Sequence, residues 1–208
     1  MIVVNKVVDE VHMPARLDAI LRSRSSQKAI AERSYWHPNG FLKLVLEGAS
    51  GTPQLRLHVW PTPGADDDIH DHAWAYRSVV LAGALREVRY DEVDEADPDG
   101  AELWRHTYRP TGGGRFQLDA PKKVNLRAQR THVLTPGVSA RGDEACIHSF
   151  SAVMFPAATF LSVGPPRQSC SSVYRLAPVV DQTLKPVRAT RREVATWVDF
   201  ALAAQCST

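Results

Sequence analysis

Cysteine is scarce in this chain: Cys146, Cys170 and Cys206 lie far apart and form no CxxC pair. So odd and sparse a set excludes a disulfide scaffold and suits a reducing compartment, so a cytoplasmic location is expected. Long apolar runs are missing as well. The longest, residues 152–163, is interrupted by Pro156 and is far too short to cross a bilayer, so no membrane partner is expected. Nor does one sign of charge dominate. The 25 basic and 23 acidic residues leave a net charge of +2, and no Lys/Arg run is long enough to track phosphates, which argues against nucleic acid. The opening MIVVNKVVDEVH carries early acidic residues and no cleavage-site pattern, so no signal peptide is expected. Internal repeats and low-complexity tracts are also absent.

What is present is enough apolar material, 44% of 208 residues, to build a core for one domain with helical extensions. Residues 14–33 place Leu17, Ile20, Leu21, Ala29 and Ile30 at helical spacing and predict two short helices split near Ser25. From FLKLVLEG onward the chain becomes a series of short, mostly alternating runs, QLRLHVW, SVVLAGALREVRY, LWRHTYRP, KVNLRAQ, THVLTPG, CIHSFSAV and ATFLSVGPP, separated by Gly, Pro and Asp. Such spacing predicts an all-β sandwich or barrel. The acidic DEVDEADPDGAE (91–102) reads as a solvated hairpin loop. Thr190 and Glu193 have capping-box spacing ahead of REVATWVDFALAAQ, an amphipathic helix with Val194, Trp197, Val198 and Ala201 on one face. The expected organisation is an N-terminal helical segment (1–36), a β-barrel (37–180) and a C-terminal helix packed on it (181–208).

IHDHAWAY (69–76) sets two histidines one residue apart in a run that otherwise reads as strand. Residues i and i+2 of a strand share a face, so His70 and His72 point one way while Ile69 and Asp71 point the other. Two neutral imidazoles so placed can converge on one cation at about 2.0–2.2 Å. Two half-exposed surface histidines are the plain alternative, because His-x-His alone is a weak signal.

The surroundings strengthen the signal. Gly64 precedes His70 by five intervening residues, Tyr76 follows His72 after three, and Gly83 follows Tyr76 after six. This resembles the first motif of the cupin superfamily, Gly, His-x-His, commonly Glu, then Gly; Gly137 and His148 have the separation of the Gly and His of the second motif. The resemblance spans roughly residues 40–175. It implies a cupin-type β-barrel (a double-stranded β-helix or jelly roll) with flanking helices, and a metal held by His70, His72 and His148. The second motif's usual Pro, Gly and Asn fall on Asp143, Ala145 and Ala152, so its turn must be built differently. Within cupins, LHVWPTPGADDDIHDH and IHSFSAV…FLSVGPPRQSC, with Pro165, Pro166 and Cys170, are similar to the cysteine dioxygenase group of thiol dioxygenases. There the sequence departs from pattern. The family's active-site tyrosine would fall near Val163 and its cross-linkable cysteine near Tyr76 or Arg77, while Arg33 and Arg56 both qualify as its carboxylate-binding arginine.

Tyr76, Arg77 and His132 are the candidate catalytic residues. Tyr76 stands where most cupins place a ligating Glu, and its phenol can ligate, donate a hydrogen bond or simply form an aromatic wall. His132 is a candidate fourth ligand or support to the ligands, against a plainer role lining the pocket. Cys146 shares a strand face with His148, although a small buried hydrophobe is the commoner fate of a free cysteine. Trp60 and Trp74 read as core or pocket wall, and Trp104, His106 and Tyr108 as packing. Asp66–Asp68 lack the glycine and glutamate of an EF-hand.

Three neutral ligands leave a divalent ion its full charge, which favours an anionic small-molecule substrate over a neutral sugar. One divalent transition metal per chain is expected, Fe(II) first, with Zn(II) or Ni(II) as alternatives, since imidazole suits all three. Three activities stay open: an Fe(II) oxygenase using O2 on a small amino acid or thiol, a zinc cupin doing Lewis-acid work in biosynthesis, and a non-catalytic ligand-binding cupin. A homodimer is a further expectation from the resemblance.

Overall fold

The computed structural model describes residues 13–37, 40–62, 68–112, 115–178 and 187–206. Gly64, Asp66 and Asp67 of the first histidine motif lie outside the described residues. Two helices come first, α1 (Met13–Arg22) and α2 (Arg24–Arg33). The break falls at Ser23, whose hydroxyl accepts from the Ser26 N–H and so caps α2. Among the described residues twelve strands follow: β1 (Tyr35–Trp36), β2 (Leu42–Glu47), β3 (Gln54–Trp60), β4 (Ile69–His70), β5 (Tyr76–Val93), β6 (Ala101–Gly112), β7 (Arg115–Leu118), β8 (Lys122–Leu134), β9 (Ser139–Gly142), β10 (Ile147–Val163), β11 (Ser171–Arg175) and β12 (Val187–Arg188). The chain then forms α3 (Arg191–Gln205), whose N-terminus carries the full Thr190–Glu193 capping box. No helix among the described residues is long and apolar enough to cross a membrane.

All strand pairs are antiparallel, and β5 and β10 organise them. The N-terminal part of β10 pairs with β4 and β5, β4 with β11, β11 with β6, β6 with β8, and β8 with β5 again. That circuit closes a barrel. The C-terminal part of β10 pairs with β3, extending the sheet through β2 and β1 to β12. The all-β class with flanking terminal helices, expected from the alternating runs, is the class found. The long strands differ from expectation. KVNLRAQ and THVL form one strand, β8, and CIHSFSAV and ATFLSV form one strand, β10, bent where its register against β5 slips between Ala152 and Ala158.

The acidic stretch is not a hairpin loop. β8 lies between β5 and β6, with Asn125 opposite both Val93 and Glu102, so residues 94–100 cross over the edge of β8. Arg127 of β8 holds that crossing by a 2.7 Å ion pair to Asp97.

Alternation divides the β2–β3–β10–β5 sheet into two faces. Leu42, Leu44, Leu57, Val59, Leu81 and Phe160 face the helices and pack with Leu17, Ile30, Val194 and Val198. Burying each such side chain contributes about 1.5–3 kcal/mol, which fixes the three helices against this face. The other face lines the barrel interior and carries Lys43, Arg56, His58, Thr159 and Tyr76, related by cross-strand register.

Candidate metal centre

His148 is the cross-strand partner of His70, and Val173 flanks His70 on the far side. Paired residues project to one face, so both imidazoles enter the barrel together. His72 lies two residues beyond the end of β4. Its neighbour Asp71 points away, its carboxylate accepting from the Ser172 N–H at 2.6 Å and the Tyr174 hydroxyl at 3.2 Å, which anchors the segment to β11. The i, i+2 geometry read from the sequence is thus held from behind by a carboxylate.

The three rings have centroids 4.8–5.1 Å apart, and their ligand nitrogens lie within 4.8 Å of one another. Donors sharing one ion at about 2.0–2.2 Å stand about 3 Å apart, so modest side-chain rotation closes the set. The hydrogen bonds aim the right atoms. His70 Nδ1 lies 2.8 Å from the Asp68 carbonyl oxygen, which can only accept, so Nδ1 carries the proton and Nε2 the free lone pair. His148 Nδ1 lies 2.9 Å from the Tyr76 hydroxyl, and its Nε2 is buried without a partner. An orphaned buried nitrogen is costly unless something ligates it. Burial lowers the pKa of all three imidazoles, for His72 and His148 well below the ordinary value, so each is neutral and ligand-ready near pH 7. These residues fit a single divalent transition metal.

Tyr76 is buried; its hydroxyl lies against His148 Nδ1 and its ring packs edge-on against His72 at 5.6 Å. Burial, with Cys146 and Glu87 adding, raises its pKa well above the ordinary value, so it is a neutral hydroxyl. Val163, where the resemblance would set a tyrosine, is the cross-strand partner of Tyr76. A phenol therefore occupies this corner of the barrel from the neighbouring strand. Cys146 brings Sγ to 3.6 Å from His148 Nδ1, the side away from Nε2. Arg77 is exposed on the opposite face of β5 from Tyr76, and His132 is exposed on β8 opposite Glu87. Neither stands with the three histidines. Arg33 is spent on the Val45 and Leu46 carbonyls, whereas Arg56 is buried on the interior face.

Sequence reasoning missed Glu87 and Lys43. Glu87 is buried and takes a 3.0 Å ion pair from Arg89 beside the Tyr76–His148 pair. The signal was two opposite charges at i and i+2 within REVRY, a pair facing one way. Lys43 was hidden as the charged member of an ordinary alternation.

No protein-family model matches this chain, and no curated protein matches it. Solved structures similar to it include hydroxypropylphosphonic acid epoxidase from S. wedmorenis, at 15% identity over 63% of this chain and 53% of that one, with a TM-score of 0.38. Oxalate oxidase in complex with the substrate analogue glycolate gives 12% identity over 65% and 55%, TM-score 0.38. An HTH_3-family transcriptional regulator from Vibrio cholerae gives 12% over 67% and 60%, also at 0.38. The chain spans between half and three fifths of the length of these structures. None of them assigns it an activity.

Proposed function

We propose that this chain is a metal-dependent cupin enzyme, a mononuclear non-haem iron oxygenase acting on a small anionic substrate of the amino-acid or thiol type. The observation that carries the proposal is the convergence of His70, His72 and His148, with His70 and His148 already committed through Nδ1 and the His148 Nε2 left orphaned. An iron(II) ion there would supply Lewis acidity and redox chemistry toward O2, and three neutral donors would leave its charge undiluted. The chain's own residues do the rest. The Asp68 carbonyl fixes the orientation of His70, and Tyr76 fixes that of His148. Trp74, stacked on His72 at 5.2 Å, walls the site on the β4 side.

Elemental analysis of tag-free protein should find one transition metal per chain, lost in each of the variants His70→Ala, His72→Ala and His148→Ala with folding kept. Full occupancy in His148→Ala would overturn the site. Iron- and zinc-loaded protein compared on an oxygen electrode with small amino acids and thiols then tests the reaction class. O2 uptake by the iron form alone is expected. Equal substrate turnover by the zinc form without O2 uptake would move the reading to Lewis-acid chemistry.

A further inference from the structure

The strand that carries His70 is only two residues long, so its backbone ladder alone fixes little. Against β11 its register sets His70 opposite Val173 and Ile69 opposite Tyr174. Continued by one residue each way, the same register sets Asp71 opposite Ser172 and Asp68 opposite Arg175. Both of these outer positions are tied. The Asp71 N–H donates to the Ser172 carbonyl at 3.1 Å, and the Asp71 carboxylate accepts from the Ser172 N–H. At the other end Arg175 Nη2 donates to Asp68 Oδ2 at 3.2 Å. Two carboxylates thus bracket β4, and opposite charges facing each other across strands favour the register that pairs them.

The Asp68 bracket bears directly on a candidate metal ligand. His70 Nδ1 lies 2.8 Å from the carbonyl oxygen of Asp68 itself. Asp68 stands one residue before β4, beyond the ladder pairs, so its side chain decides where that carbonyl sits. The Arg175 and Asp68 side chains are 25% and 31% exposed, so salt screens this pair less than an open surface pair. Arg175 Nε is buried without a partner, and among the described residues Asp68 is the carboxylate that answers the guanidinium.

We infer that Arg175 is a positioning residue for the metal centre: it pins Asp68, whose carbonyl keeps the His70 proton on Nδ1 and the lone pair on Nε2. An imidazole that loses this acceptor can carry its proton on Nε2 instead, where it blocks ligation. The inference deepens the histidine reading and rests on it for the ion alone, since the chain Arg175–Asp68–His70 is complete without metal. His148 takes its own partner from Tyr76, so the effect belongs to His70.

The test is NMR of the imidazole nitrogens in metal-free, full-length protein, which reads the tautomer of each histidine. His70 should be in the Nδ1–H form in the parent. Arg175→Met and Asp68→Ala should each bring in the Nε2–H form at His70 and leave His148 unchanged, while Arg175→Lys, which keeps the charge, should match the parent. In chelator competition with Zn(II), Arg175→Met and Asp68→Ala should each lose about two- to fivefold in affinity, the worth of an opposite-charge cross-strand pair. The double variant should lose no more than either alone. A His70 that keeps the Nδ1–H form in both single variants would overturn the inference, as would additive losses in the double variant. The tautomer change in a protein that binds no metal would leave the pin standing and remove the histidine reading instead.

Discussion

Tyr76 and His132 carry side chains of similar chemical promise, and their surroundings separate them. The Tyr76 phenol is buried 2.9 Å from His148 Nδ1, while the His132 imidazole is exposed on β8. Replacing Tyr76 by Phe removes the hydroxyl 2.9 Å from His148 Nδ1 which, by accepting there, would keep the proton on Nδ1 and the lone pair on Nε2. Metal affinity should fall 10–100-fold in chelator competition, the usual cost of losing a partner behind a ligand, while His132→Ala should leave it unchanged. An unchanged affinity in Tyr76→Phe would reduce the phenol to wall. The histidines themselves were legible because strand alternation and motif spacing are local. Lys43 and Glu87 were not, because what singles them out is a neighbour on another strand: His58 opposite Lys43, Phe150 opposite Glu87.

At the scale of elements, the helices followed from local rules, capping at Ser23 and Thr190 and an apolar stripe at Val194, Val198 and Ala201. Strand count was harder to read. Gly, Pro and Asp punctuate a sequence whether the chain turns or merely bends, and in β10 the FPA stretch at 155–157 bends a strand that continues to Val163. The crossing at 94–100 was misread for a related reason. Turn residues announce a reversal but not whether the next strand pairs with the last. Gly83 marks the bend from the β5 side. Its φ is +68°, and a Cβ there would sit 2.5 Å from the Met154 carbonyl oxygen. Gly83→Ala should therefore cost about 1–3 kcal/mol from backbone conformation alone, more with the clash, read as a lower urea midpoint. A midpoint within error of the parent would mean that the bend tolerates a side chain.

For the molecule as a whole, burying imidazoles in a barrel ties stability to acidity. Burial, with Lys43 and Arg56 adding, holds the His58 pKa well below its ordinary 6.5, and burial lowers that of His106 as well. A lowered folded-state value means that the unfolded chain takes up protons first. Stability is then intact above about pH 6.5 and drains as pH falls below it, by about 1.4 kcal/mol per pH unit for each such imidazole. Denaturant midpoints of metal-free protein should hold from pH 8 to 7 and decline toward pH 5, and His58→Phe should decline less steeply. A flat profile would show that these rings titrate as freely when folded as when unfolded.

The doubling of duty by β5 and β10 reaches further than shape. Each belongs to the closed barrel along one part of its length and to the helix-backed sheet along the other. His148 stands on the barrel part of β10, and its register depends on β5, whose other end is packed through Val79 and Leu81 against the helices. An excerpt lacking either β5 or β10 would therefore not keep the three imidazoles together. The site cannot be transplanted as a loop or reduced to a peptide, and it has to be inherited with the whole barrel.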